Sequence, residues 1–173
     1  IEESDKKYEY LDDWNIDFRL ESVSKELNST DENGYTNFSG NDLSANGNEI
    51  SIENENLRIQ YKNDEDGMRQ DFIIKNRPEG EGKLRLNLTA DTKLKMLVGA
   101  DALMFKDNDG SEKMKYSALK VWDAKGRSLR AYFKKTDQFP ASGKDGEIVN
   151  FKLQMNDQQS KQFPNSKFTA SRQ

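Results

Sequence analysis

The densest cluster of oxygen donors in this chain is Asn63-Asp64-Glu65-Asp66-Gly67, and the chemistry such a cluster suggests is calcium binding. An EF-hand loop needs oxygen ligands at positions 1, 3 and 5, glycine at 6 and a bidentate Glu at 12. With Gly67 at position 6, Lys62 falls at position 1 and Ile73 at position 12, so the register fails at both ends. In "FKDNDGSEKMKY", placing Gly110 at position 6 puts Phe105 and Tyr116 at those two positions, and the loop fails again. Both segments read instead as hairpin turns, where Asp and Gly meet the backbone demands of a tight reversal and charged tips stay in water. No metal and no cofactor is expected.

Other chemistry is narrowed by what is missing. The chain has no histidine and no cysteine. Zinc and iron–sulfur centres, thiol nucleophiles, Ser-His-Asp triads and imidazole bases each lose a defining residue. Carboxylate catalysis of the glycosidase kind needs only two acids at a set separation. With 31 acids present, such pairs arise by chance, and nothing in the spacing singles one out. No catalytic residue is therefore assigned, and the chain is read as a non-enzyme.

Cations give a second set of candidates. Lys83 and Arg85 interleave with Leu84 and Leu86, Lys95 follows Leu94, and Lys113 and Lys115 flank Met114. Were their strands neighbours, one solvent face would become a cationic lattice able to hold an anionic glycan or an acidic partner surface, weakened by salt. The plainer reading is that lysines on exposed and edge strands prevent sheet-to-sheet association. Trp122, in "LKVWDAKG", is either a flat platform for a sugar or a residue packed in the core or on a sheet edge, and Trp14 has no clear role. The ligand candidates are thus Lys83, Arg85, Lys95, Lys113, Lys115 and Trp122. Asn-X-Ser/Thr triplets at Asn28, Asn37 and Asn87 are expected by chance in so Asn-rich a chain.

The elements that would carry these residues follow from length and pattern. At 173 residues the chain suits one domain with room for a real core. Leu, Ile, Val and Phe total only 35 residues, so a core requires that apolar residues be placed economically. From Ile50 onward they are: Ile50 and Ile52, Leu57 to Tyr61, Phe72 and Ile74, Leu84 to Leu88, Leu94 to Val98 and the later runs through Met155 alternate with polar partners. A period of 2 means half-buried antiparallel strands. About ten short strands are expected, joined by Asn46-Gly47, Asp66-Gly67, Asp109-Gly110, Lys125-Gly126 and Asp145-Gly146 turns. Two longer joints, "NRPEGEG" and "KKTDQFPASGKDG", are expected to carry the chain across an edge or between sheets. The fold class is all-β, an antiparallel β-sandwich or strongly curved sheet.

Residues 1–48 read differently, as a polar, acidic N-terminal extension of weak strands or loop preceding a 49–173 antiparallel domain. Ile16, Phe18 and Leu20 alternate like a strand, whereas Leu20, Val23 and Leu27 recur like a helix. Charge is also uneven: residues 1–66 hold 18 acids and 6 bases, and residues 67–173 hold 13 acids and 21 bases, giving −12 and +8. Mutual attraction between the two parts accounts for this without a polyanion. A nucleic-acid partner is not expected, since the whole chain carries −4. No apolar run is long enough for a transmembrane helix. Ile1 opens without the features of a signal peptide, which says nothing about export.

Two stretches carry a resemblance. "LRIQYKNDEDGMRQDFIIKNRPEGEGKLRLNL" and "ALKVWDAKGRSLRAYF" contain Tyr61-Lys62-Asn63 leading to Gly67, Arg69-Gln70-Asp71-Phe72, Arg77-Pro78 with Gly80 and Gly82, Leu84-Arg85-Leu86, and Asp123-Ala124-Lys125-Gly126 with Leu129. In this pattern, over about residues 50–170, the chain resembles an uncharacterised β-rich domain near the N-terminus of large exported surface proteins of Bacteroidetes-type bacteria. In those proteins the domain often precedes propeller-like or other extracellular repeats. Members close with Tyr-Pro and an Ile-Asp-Pro-like strand, whereas here Phe163-Pro164 is followed by "NSKFTASRQ". That difference weighs against a following repeat region. The resemblance implies a structural or adhesion-associated module, extracellular, on the cell surface or in the periplasm of a Gram-negative bacterium. It brings no catalytic residue, and its expected partners are a surface glycan or another surface protein.

Overall fold

A computed structural model describes residues 14–25, 34–35, 42–76, 78–79, 82–135, 147–156 and 166–172. Among them there is no helix, and thirteen strands account for most of the chain. These are β1 (Ile16–Lys25), β2 (Gly34–Tyr35), β3 (Asp42–Asn46), β4 (Glu49–Glu53), β5 (Leu57–Asp64), β6 (Gly67–Ile74) and β7 (Leu84–Thr92). The remainder are β8 (Lys95–Val98), β9 (Leu103–Lys106), β10 (Glu112–Trp122), β11 (Ser128–Lys135), β12 (Glu147–Asn156) and β13 (Ser166–Arg172). Every described pairing is antiparallel. The fold is the expected all-β, sandwich-like arrangement.

Strand order runs β2-β1-β7-β12-β11-β10-β13-β6-β5-β4-β3, with β8 and β9 branching from β10. The path folds over at β10 and β11, which share only two register pairs, Val121 with Leu129 and Trp122 with Ser128. Before that point β10 pairs with β9 instead. One layer is thus β2-β1-β7-β12-β11 and the other is β8-β9-β10-β13-β6-β5-β4-β3. The Phe133 N–H donates to the Ala100 carbonyl at 2.9 Å, tying β11 to the turn between β8 and β9 and so joining the layers along that margin.

Alternation builds the core between the layers. Leu84, Leu86, Leu88 and Ala90 of β7 and Val23 of β1 meet Leu57, Ile59, Phe72, Ile74, Leu103, Phe105, Met114, Tyr116 and Val121 of the other layer in one buried cluster. Aromatic rings cross the gap. Phe18 stacks on Tyr116 at 5.4 Å between centroids and meets Phe105 edge-on at 5.7 Å, and Tyr116 lies 5.7 Å from Phe133. Such pairs add about 0.5–1.5 kcal/mol each beyond the area they bury. A polar chain accompanies them: the Tyr116 hydroxyl donates to Gln70 Oε1 at 3.1 Å, and Gln70 Nε2 donates to the Tyr61 hydroxyl at 2.9 Å.

The ambiguous period from Ile16 to Val23 has a structural cause, while Leu27 lies outside the described residues. β1 pairs along β7 from Ile16 to Lys25 with a bulge between Leu20 and Ser22, and the extra residue Glu21 shifts the alternation by one. Ile16, Phe18 and Leu20 face the core before the bulge and Val23 faces it afterwards, so a three-residue step appears inside a strand. The acidic stretch before residue 49 therefore supplies a core strand. β10 repeats the device: a bulge between Ser117 and Lys120 separates the Met114–Tyr116 phase from Val121, and Ala118 there has φ +56°.

The long joints divide. "NRPEGEG" carries the chain from β6 in one layer to β7 in the other, as expected. "KKTDQFPASGKDG" does not cross layers, because the strands it connects, β11 and β12, are hydrogen-bonded neighbours. Its Asp145-Gly146 turn lies outside the described residues.

Two substitutions test this architecture in urea unfolding. Ala118→Gly relieves a left-handed residue, worth about 1–2 kcal/mol, against roughly 0.5–1 kcal/mol of added chain entropy. A net gain of up to about 1.5 kcal/mol is expected, and a loss contradicts the strained bulge. Tyr116→Phe leaves the Gln70 carbonyl oxygen without its buried donor and is expected to cost about 1–3 kcal/mol.

Candidate functional site

The five cationic candidates do not form one face. Arg85 belongs to β7, which neighbours β1 and β12, and Lys83 immediately precedes that strand, whereas Lys95, Lys113 and Lys115 lie on β8 and β10 around β9. Since β7 and β10 contribute to opposite layers, side chains pointing away from the shared core point in opposite directions. The conditional lattice therefore breaks into separate groups.

Arg85 sits in a half-buried polar layer. Asn87, on the same outward face two residues along, is 1% exposed and donates through Nδ2 to Ser22 Oγ at 2.7 Å and to Ser24 Oγ at 3.4 Å. Thr89 donates to Glu21, the bulge residue, at 2.8 Å. Burial lowers the basicity of the Arg85 guanidinium, with nearby Tyr132 opposing. This outward face of β1 and β7 is a closed hydrogen-bonded patch rather than an open cation surface. It also closes the Asn87 triplet to glycan attachment, while Asn28 and Asn37 lie outside the described residues.

The second group is more open. Core residues Leu103, Phe105, Met114 and Tyr116 alternate with Met104, Lys106 and Lys115 on the far side of the sheet. Across β8 and β9, Lys95 stands directly opposite Lys106. Like charges in that position cost roughly 0.2–1 kcal/mol. Neither they nor Lys115 form an ion pair with any described residue. Lys106 was missed at the sequence level, although the alternation of Leu103 and Phe105 already places it outward. Lys113 is different: it occupies a bulge between Glu112 and Met114, and its Nζ lies 3.2 Å from Asp107 Oδ2.

Trp122 closes β10 at the opposite end, half-buried, in register with Ser128 and Lys167. It is an interior strand position and not a sheet edge. Trp14 is 40% exposed.

The acids have structural partners. "KDNDGS" and "WDAKGR" fold into the same turn twice. Asp107 Oδ1 accepts from the N–H of Asp109 at 3.0 Å and of Ser111 at 2.8 Å, and Asp123 Oδ1 accepts from Lys125 and Arg127, both at 2.9 Å. Gly110 (φ +87°) and Gly126 (φ +76°) take the left-handed position that closes each turn. Arg127 Nε completes the second turn on Asp123 Oδ2 at 2.7 Å. Burial opposes ionisation of both carboxyls, but these N–H groups with Lys113 and Arg127 hold them below the usual range. The opening cluster is also a turn: Asp64 and Gly67 face each other across the β5–β6 hairpin, and Asp64 Oδ1 accepts from Asp66 N–H at 3.1 Å.

On the outer face of β4 and β5, Glu53 binds Arg58 and Lys75, and Glu49 binds Lys62 at 3.3 Å and Gln60 at 3.2 Å. The hydrogen bond from Arg58, then that from Lys75, lowers the Glu53 carboxyl from 4.5 to about 2. Asp71, 1% exposed, lies 3.2 Å from Arg69 on the same face. Among the described residues no three acids gather in a way that would hold a metal ion, and no helix is long and apolar enough to cross a membrane. No protein-family model, curated protein or solved structure matches the chain.

Depressed carboxyl values fix the direction of acid sensitivity. Ionised Glu53, Asp107 and Asp123 favour the folded state above the ordinary carboxylate range. That contribution is lost as pH falls, for Glu53 between about 4.5 and about 2. Urea unfolding at a series of pH values is expected to show stability falling across this window, with a shallower acid limb in Glu53→Gln. An identical slope in the variant contradicts the assignment.

Proposed function

We propose that this chain is a non-catalytic structural or adhesion-associated module of an exported protein, working outside the cytoplasm of a Gram-negative bacterium. The observation that carries this reading is the employment of its acids. The carboxylates with lowered proton affinity, Glu53, Asp107 and Asp123, hold hairpin turns or cross-strand cations, which is structural work. The family resemblance over residues 50–170 supports the exported setting. A mostly polar exterior over a single apolar core suits a domain that spaces or presents its neighbours.

A second reading has one specific observation in its favour. Lys95, Lys106 and Lys115 share an outward face, two of them directly opposed and none ion-paired with a described residue. An anionic glycan laid across β8, β9 and β10 would relieve that repulsion. Its binding would be a sum of weak, screened contacts.

Glycan-array binding at low and high salt separates the two. The module reading expects no signal at either condition. Binding to sulfated or uronic-acid glycans that high salt removes, and that Lys95→Glu with Lys106→Glu abolishes, would establish the glycan reading in its place.

A further inference from the structure

Strand order ends at β3, which among the described strands pairs only with β4. All five of its residues, Asp42-Leu43-Ser44-Ala45-Asn46, are exposed, Leu43 at 71%. Its neighbour Ile50 is 47% exposed. Edge strands are ordinarily protected by lysine, proline, a bulge or a covering element. β3 has neither lysine nor proline, and its ladder to β4 is regular through five pairs.

From this edge we infer that β3 pairs antiparallel with β3 of a second copy about a two-fold axis at Ser44. The strand complements itself in that register. Leu43 lies opposite Ala45 of the other copy, large against small, and Asp42, its single charge, lies opposite Asn46, an amide able to donate to it. Shifting the strands to bring Asp42 against Asp42 would oppose two carboxylates and lose pairs. Side chains extend the match beyond the edge. Leu43 and Ala45 face the same way as Ile52 and Ile50, so the paired sheet carries two apolar rows, each running Ile52, Leu43, Ala45, Ile50 through both copies. On the other face the Ser44 and Ser51 hydroxyls are bonded at 2.8 Å, and the two Ser44 residues meet at the axis.

Charge favours a second copy as well. Glu53 is held by Arg58 and Lys75 and Glu49 by Lys62, which neutralises the acids behind the edge before any partner arrives. The contact is isologous and closes on itself, giving a dimer rather than a fibre. Five residue pairs with a narrow apolar strip fall at the small end of specific interfaces, so association is weak and concentration-dependent.

The absence of cysteine makes the test clean. Ser44→Cys places one thiol from each copy at the axis, at a separation a disulfide spans. Under mild oxidation it is expected to form a covalent dimer on non-reducing gels at least about tenfold faster than Asn108→Cys in an exposed turn, the factor expected from raised effective concentration. Leu43→Cys and Ala45→Cys are expected to cross-link faster when mixed than either does alone. In sedimentation velocity the unmodified chain should move toward dimer with concentration, and Leu43→Lys, at an exposed position with unaltered circular dichroism, should stay monomeric. Equal cross-linking rates for Ser44→Cys and Asn108→Cys overturn the pairing. So does a chain that remains monomeric at millimolar concentration, or a dimer that Leu43→Lys leaves intact.

Discussion

Tyr116 is the side chain through which both layers are held to one geometry. It is buried, its ring stacks on Phe18 of β1 and leans on Phe133 of β11, and its hydroxyl reaches Gln70 of β6 and through it Tyr61 of β5. Five strands from two layers thus meet at one residue of β10. Apolar contacts alone tolerate sliding, because burial is not directional. The Tyr–Gln–Tyr chain, buried at Tyr116 and Gln70 and half-buried at Tyr61, tolerates little, since displacing Tyr116 or Gln70 leaves a buried polar atom without a partner. The hydrophobic cluster supplies most of the attraction, and this short polar chain specifies how the layers register.

β10 bears that role because it changes partners along its length. Its first half pairs with β9, its second half with β13, and its last two residues with β11. The bulge at Ala118 lets one strand serve both surroundings: it turns the side-chain phase so that Tyr116 and Val121 both reach the core despite five residues of separation. A regular strand would have sent one of them into solvent.

The pattern of alternation made the strands from β4 to β12 legible in the sequence, and with them the fold class. It misled where a single inserted residue reset the phase. Leu20 to Val23 looks helical, and Tyr116 to Leu119 looks like a boundary between two strands, because each step of three contains a bulge. Nothing in the identities of Glu21 or Ala118 announces this, since bulges are selected by the partner strand. β13 was not legible either, because "SKFTASR" has one strongly apolar residue, Phe168, and takes its place from pairing with β10 and β6. For the candidate site, type and parity were legible but adjacency was not. Lys83 and Arg85 alternate as well as Lys113 and Lys115 do, yet which strands become neighbours is decided by contacts far apart in sequence.

That placement of β13 orders events in time. Between β6 and β10 there is room for one strand, and it is the last of the thirteen. While a ribosome or a translocation channel delivers this chain, both flanks of that gap stand unfilled until Ser166–Arg172 emerges. Nucleation can begin in the β3 to β6 meander, whose turns are local, but closure waits on a ligature spanning nearly a hundred residues. Slow, late-completing assembly follows from such long-range pairing.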